Sequence, residues 1–134
     1  MNVLFFLTPK NKVEYVFEDT SLRQILEKMD YHGFSAVPIL NKENEYVGTL
    51  TASDLLLEIK KRENFNLKDA EDIKISSIKR SRNIEPIYID NEIDDLISKA
   101  SNQNFIPVLD DYNKFIGIIT RKDIILYCYK KMTK

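Results

Sequence analysis

The chain repeats itself. Val37–Leu56 reads VPILNKENEYVGTLTASDLL, and Ile106–Ile125 reads IPVLDDYNKFIGIITRKDII. At a shift of 69 positions, six of the 20 pairs are identical: Pro38/Pro107, Leu40/Leu109, Asn44/Asn113, Gly48/Gly117, Thr51/Thr120 and Asp54/Asp123. Eight more are conservative, among them Val47/Ile116, Tyr46/Phe115 and Leu55/Ile124. A repeat of this kind constrains the fold more than composition does, because one supersecondary unit must be used twice.

The similarity continues upstream once a small gap is allowed. Leu22, Ile25, Leu26 and Met29 sit at helical spacing, and Ile93, Leu96, Ile97 and Ala100 reproduce them at an offset of 71. Asp19-Thr20-Ser21 and Asp90-Asn91-Glu92 precede these runs and suit helix N-termini. Before them lie β-branched and aromatic runs at 13–17 and 86–89. The first unit therefore reads strand 13–17, helix 21–31, strands 36–40 and 46–50, helix 52–62. The second reads strand 86–89, helix 92–101, strands 105–109 and 115–119, helix 121–131. Each is β-α-β-β-α, and the drop in offset makes the second unit two residues shorter ahead of its second strand. The expected division is 1–62 for the first repeat with a lead-in segment, 63–83 for a polar linker, and 84–134 for the second repeat. One helical turn is expected near Leu67–Asp72.

The chain has 134 residues, so each repeat is a unit of about 60 that is marginal alone. Two α/β repeats packed as a pseudo-two-fold pair are the economical arrangement. Lys and Arg number 20 against 21 Asp and Glu, which leaves no broad basic footprint for nucleic acid. The single cysteine, Cys128, excludes an internal disulfide and fits a reducing compartment. The longest apolar run, Val3–Leu7, is too short for a membrane span and has no basic flank for a signal peptide. A cytoplasmic protein is expected.

Thr120-Arg121-Lys122-Asp123 opens the last helix directly after a strand. The free N–H groups and positive dipole end of a helix start favour a phosphate, and Thr, Arg and Lys add donors. Arg121 offers the bidentate geometry that phosphate oxygens accept. A carboxylate at Asp123 can accept both hydroxyls of a ribose. The alternative is ordinary capping, with Thr120 as N-cap and Asp123 as its acid three residues on. Thr51-Ala52-Ser53-Asp54 is the counterpart and has no neighbouring cation. Lys79, Arg80 and Arg82 form a short basic cluster that reads first as a solvated loop and second as a site for an anionic ligand or partner. There is no His/Cys cluster for a metal, no nucleophile–base pair and no glycine-rich phosphate loop, so no enzyme is expected.

Gly-Phe-Ser-Ala-Val-Pro-Ile-Leu followed by Tyr-Val-Gly-Thr-Leu-Thr-Ala-Ser-Asp resembles the CBS domain, named after cystathionine β-synthase. The second copy, Phe-Ile-Pro-Val-Leu through Phe-Ile-Gly-Ile-Ile-Thr-Arg-Lys-Asp, resembles its partner in a tandem pair, or Bateman module. The resemblance covers about residues 5–130. It implies a stand-alone, non-catalytic sensor that needs no cofactor and binds an adenine nucleotide (AMP, ATP or cyclic di-AMP) as a regulatory ligand. It also implies that the acid of one repeat faces the base-binding segment of the other. Thr120, Arg121, Lys122 and Asp123 would then work with Thr8, Asn11 and Val13 and with Phe34, Ser35 and Ala36. A second, weaker site would join Thr51 and Asp54 to Pro86, Asn104 and Phe105, where the two-residue deletion removes the Gly-Phe-Ser loop. A homodimer is expected, because the apolar faces Leu22/Ile25/Met29 and Leu55/Leu56/Ile59 exceed what one such chain covers. The regulated partner protein stays unknown. The competing expectation is a constitutive dimerisation or interaction module with degenerate pockets.

Overall fold

The structure is a computed structural model that describes residues 2–133. In chain order it contains strands β1 (Thr8–Pro9), β2 (Val16–Phe17), β3 (Ala36–Leu40), β4 (Tyr46–Thr51), β5 (Ile87–Tyr88), β6 (Phe105–Leu109) and β7 (Phe115–Thr120). Its helices are α1 (Leu22–His32), α2 (Ala52–Lys60), α3 (Leu67–Ala70), α4 (Ile93–Ala100) and α5 (Arg121–Met132). The chain is a mixed α/β protein with two sheets, one ordered β1-β7-β6-β5 and the other β2-β3-β4. It divides into two units, Met1–Val13 with Glu43–Tyr46 and Ile84–Lys134, and Glu14–Lys42 with Val47–Asn83.

The unit holding the first repeat builds its core from Val16, Leu22, Ile25, Val37, Ile39, Leu50 and Leu55. Helix α1 starts where Ser21 Oγ accepts Gln24 N at 3.1 Å while Gln24 Oε1 accepts Ser21 N at 2.9 Å, a reciprocal cap of two orphan donors. β2 lies parallel to β3, Val16 opposite Ile39, as a strand–helix–strand crossover requires. Residues 63–83, read from the sequence as linker, supply Ala70, Ile75 and Ile78 to this same core. Their backbone is tied in as well, with Leu22 N donating to Ile73 O and Ile75 N to Thr20 O.

The unit holding the second repeat repeats the pattern, with a core of Ile87, Leu96, Ala100, Ile106, Val108, Ile119 and Ile124. Its sheet has one strand more. The lead-in segment contributes buried Val3 to the core and β1 to the sheet edge, antiparallel to β7 with Thr8 opposite Ile118 and Pro9 opposite Gly117. Nothing in the local pattern Thr8-Pro9-Lys10-Asn11 announces a strand, because two residues carry no periodicity. Asn44 and Asn113, identical in the repeat, both take φ of 62° in the β3–β4 and β6–β7 turns, a conformation asparagine tolerates better than most side chains.

Helix ends fall within two residues of expectation, while the expected strands at 13–17 and 86–89 shorten to β2 and β5. Part of the expected apolar surplus is covered within the chain. Leu22, Ile25 and Leu55 are buried within the chain, and Met29 packs against its core. Leu56, one of the residues expected to be uncovered, is exposed, and so are its neighbour Leu57 on α2 and Ile125, Leu126, Tyr129 and Met132 on α5.

Candidate functional site

Both Thr-x-x-Asp motifs sit at a strand-to-helix junction, and both threonines cap. Thr120 Oγ1 accepts Asp123 N at 3.1 Å, and Thr51 Oγ1 accepts Asp54 N at 3.2 Å. The first helical N–H is held alike in each repeat, Arg121 N on Asn104 O and Ala52 N on Ser35 O. The backbones match; the carboxylates do not.

Asp54 is only 3 % exposed and its oxygens are occupied. Oδ2 accepts Thr51 N at 3.0 Å, while Oδ1 accepts Ser81 N at 3.0 Å and Ser81 Oγ at 2.6 Å. Burial pushes this carboxyl up, but the bonds from the Ser81 hydroxyl, Thr51 N and Ser81 N outweigh it, and Asp54 titrates below the usual carboxylate range. Asp123, by contrast, is half-buried and its carboxylate accepts no hydrogen bond among the described residues. Capping uses only its backbone N–H.

The same unit brings the lead-in segment to β7. Thr8 pairs with Ile118, and the 3₁₀ turn Lys10–Lys12, which contains Asn11, packs against the strand that ends at Thr120. Val13, half-buried, closes that turn with its N–H on Lys10 O. Thr8, Asn11 and Val13 thus share a unit with Thr120, Arg121, Lys122 and Asp123. Gly117 permits the approach of β1. A Cβ there would stand 2.2 Å from Thr8 O, and its φ of +152° is one that side chains rarely adopt.

The two cations differ in use. Arg121 Nε donates to Ala100 O at 2.7 Å and an Arg121 terminal nitrogen to Asn104 Oδ1 at 2.9 Å. Arg121 therefore satisfies a carbonyl at the end of α4 with part of its fork. Lys122 is exposed and has no ion-pair partner among the described residues.

Phe34, Ser35 and Ala36 belong to the first repeat's unit, together with Thr51 and Asp54. Phe34 packs on that unit's core and stacks on His32 with ring centroids 6.2 Å apart, and Ala36 opens β3. Pro86, Asn104 and Phe105 belong to the other unit, where Gln103 takes up the backbone beside them. Buried Gln103 accepts Glu85 N at 2.8 Å and donates to Glu85 O at 3.0 Å and Phe105 O at 3.2 Å.

Sequence reasoning missed both Gln103 and Ser81. A lone polar residue in a loop gives no local sign of the long-range hydrogen bonds it will make, although the deletion beside Gln103 marked that loop as altered. Gln103→Ala should lower stability by about 1–3 kcal/mol in urea denaturation, because it takes the buried partner from Glu85 N, Glu85 O and Phe105 O. Among the described residues, no group of His, Cys, Asp and Glu is placed to hold a metal ion, and no helix is long and apolar enough to cross a membrane.

Comparison with known proteins places these junctions in a family. The family model described as the CBS domain matches residues 7–61 and again 75–130. An uncharacterized protein of Methanopyrus kandleri is 27% identical over 104 residues, covering 76% of this chain and 50% of its own length. The L-aspartate semialdehyde sulfurtransferase of Methanocaldococcus jannaschii is 30% identical over 95 residues, 69% of this chain and 17% of that protein. The chain thus spans half or less of these two relatives. Among solved structures, CbpB in complex with c-di-AMP superposes with a TM-score of 0.87 at 27% identity, covering 99% of this chain and 87% of that one. With two family matches in tandem and the matching fold on each, the chain belongs to the CBS domain family.

Proposed function

We propose that the chain is a non-catalytic regulatory module that binds an adenine nucleotide at Thr120–Asp123 and the Thr8–Val13 lead-in. The observation that carries this reading is the unpartnered Asp123 carboxylate beside a capping threonine, while the equivalent Asp54 is saturated by Ser81 and Thr51. An acceptor pair at a helix start suits the two hydroxyls of a ribose, and Lys122 with the rest of the Arg121 fork suits phosphate. The likeness to CbpB in complex with c-di-AMP supports cyclic di-AMP as the first candidate over AMP and ATP. Thr51 and Asp54 are the weaker candidates, because Ser81 already bonds the Asp54 carboxylate, and in the other unit Gln103 already takes the Phe105 carbonyl beside Pro86 and Asn104.

Calorimetry and thermal shift with AMP, ATP, cyclic di-AMP and adenosine test this. A ligand at 100 times its dissociation constant should add about 2.7 kcal/mol of stability. Binding should favour the phosphorylated ligands over adenosine and weaken as salt rises. If none of the four binds, the module is a constitutive interaction domain instead. The exposed apolar residues of α2 and α5 support the further proposal of a cytoplasmic homodimer that acts on a protein partner. Light scattering should give about twice the 15.7 kDa chain mass, and a monomer at tens of micromolar would refute the dimer.

A further inference from the structure

The two repeats differ at linked positions around the strand-to-helix junction. α1 ends on Gly33, whose φ of 71° turns the chain while its N–H bonds Met29 O at 2.8 Å. α4 has no such glycine, because the two-residue deletion falls here, and the chain leaves Ala100 through residues 101–104. At the offset of 69, Ser35 of the first repeat becomes Asn104 and Ala52 becomes Arg121. The backbone is indifferent to these changes. Ser35 O holds Ala52 N at 2.8 Å, and Asn104 O holds Arg121 N at 2.9 Å.

The side chains are not indifferent. Arg121 Nε donates to Ala100 O at 2.7 Å, and an Arg121 terminal nitrogen donates to Asn104 Oδ1 at 2.9 Å. The first bond satisfies an orphan carbonyl at a helix end, which needs one donor and no more. The second has no such purpose. Asn104 is exposed, so water would serve its amide oxygen equally well. What the second bond adds is orientation, because a planar guanidinium held at two of its nitrogens is fixed in its plane. The donors left over all lie on the terminal nitrogens, at the helix start that carries Thr120, Lys122 and Asp123.

We infer that Asn104 is a positioning residue, holding the Arg121 guanidinium in one orientation for the phosphate of an adenine nucleotide, and this rests on the nucleotide reading above. An arginine gives up rotamer freedom when it binds. One already held in the folded chain has less to lose, so only the phosphorylated part of the ligand gains. Asn104 therefore raises the preference for nucleotide over nucleoside and leaves affinity for the nucleoside alone. It serves the first site, not the weaker second one. The first repeat, with Ser35 and Ala52, lacks both the cation and the residue that orients it.

Asn104→Ser restores the residue of the first repeat, where the same backbone bond forms, so the melting temperature should stay within about 3 °C of the parent. Calorimetry on the full chain with cyclic di-AMP, AMP and adenosine gives the decisive readout. Asn104→Ser should weaken both phosphorylated ligands about fivefold or more and leave adenosine within about twofold. Arg121→Gln should weaken them at least as much. Adding Asn104→Ser to Arg121→Gln should change them by less than about twofold, because the group to be positioned is gone. Equal losses for AMP and adenosine in Asn104→Ser would overturn the inference, since Asn104 would then only support the loop. A further loss of about fivefold in the Arg121→Gln background would also overturn it, since Asn104 would then touch the ligand itself. Binding with an unchanged preference overturns the role of Asn104 alone, whereas failure of all three ligands to bind the parent overturns the nucleotide reading with it.

Discussion

Gly117→Ala is expected to cost about 3 kcal/mol and to lower the melting temperature by roughly 10 °C. The new Cβ would stand 2.2 Å from Thr8 O and 3.1 Å from Pro9 Cα, both backbone, so relief requires β1 to leave the sheet edge. The φ of +152° adds strain to any side chain placed there. Gly48→Ala is the control, because the two glycines are equivalent in the repeat. Its Cβ would meet Arg80 Nε at 2.6 Å, the far part of a flexible side chain that can swing aside. Its cost should stay below about 1 kcal/mol. Thermal melts giving the two variants equal losses would show that β1 does not rest on Gly117 in the way described. Since Thr8 belongs to the proposed nucleotide site, Gly117→Ala should also weaken nucleotide binding in the fraction that remains folded.

The two aspartates should separate stability from binding. Asp54→Ala removes a buried carboxylate and strands Thr51 N, Ser81 N and Ser81 Oγ, at an expected cost of about 3 kcal/mol. Asp123→Ala removes a carboxylate with no protein partner among the described residues, so the fold should lose less than about 1 kcal/mol. Nucleotide affinity should fall instead, by about 2–3 kcal/mol, through loss of charge-assisted bonds to two hydroxyls. The pH dependence follows the same division. A carboxyl titrating lower in the folded state stabilises above its unfolded value near 4, and that contribution is lost as pH falls through the lower folded value. Asp54 is such a group, so Asp54→Ala should flatten the acid limb of the stability curve. Urea titrations at neutral and acid pH measure this, and reversed ranking of the two variants would place the ligand at the wrong repeat.

The repeat made the α/β architecture legible because hydrophobic spacing is local. Leu22, Ile25, Leu96 and Ile124 are buried as their helical periods require. The Thr-x-x-Asp motifs were legible as well, both as caps and as candidate ligand groups. What separates Asp54 from Asp123 was not legible, because it depends on Ser81, a residue 27 positions away in a segment without periodicity. Arg121 shows the same limit, since its motif suggested phosphate while Ala100 O, across the sheet junction, takes one of its donors. The surplus apolar face was misread in part, for a related reason. Helical spacing says which residues share a face but not which face the sheet covers, and here Leu55 turned inward while Leu56 and Leu57 did not.

The lead-in strand has a consequence for the order of synthesis. Thr8 and Pro9 pair with Ile118 and Gly117, more than a hundred residues further along the chain. On a ribosome adding about 5–20 residues each second, β1 must wait several seconds or more for its partner. The first repeat faces no such delay, because its core needs nothing beyond Ile78 and the clamp at Ser81. Residues 14–83 can therefore settle while the nascent chain is still growing, with Val3, Phe6 and Leu7 left uncovered until the second repeat emerges. A chain stalled before Gly117 should bury its first hydrophobic cluster and still present that apolar leader to chaperones.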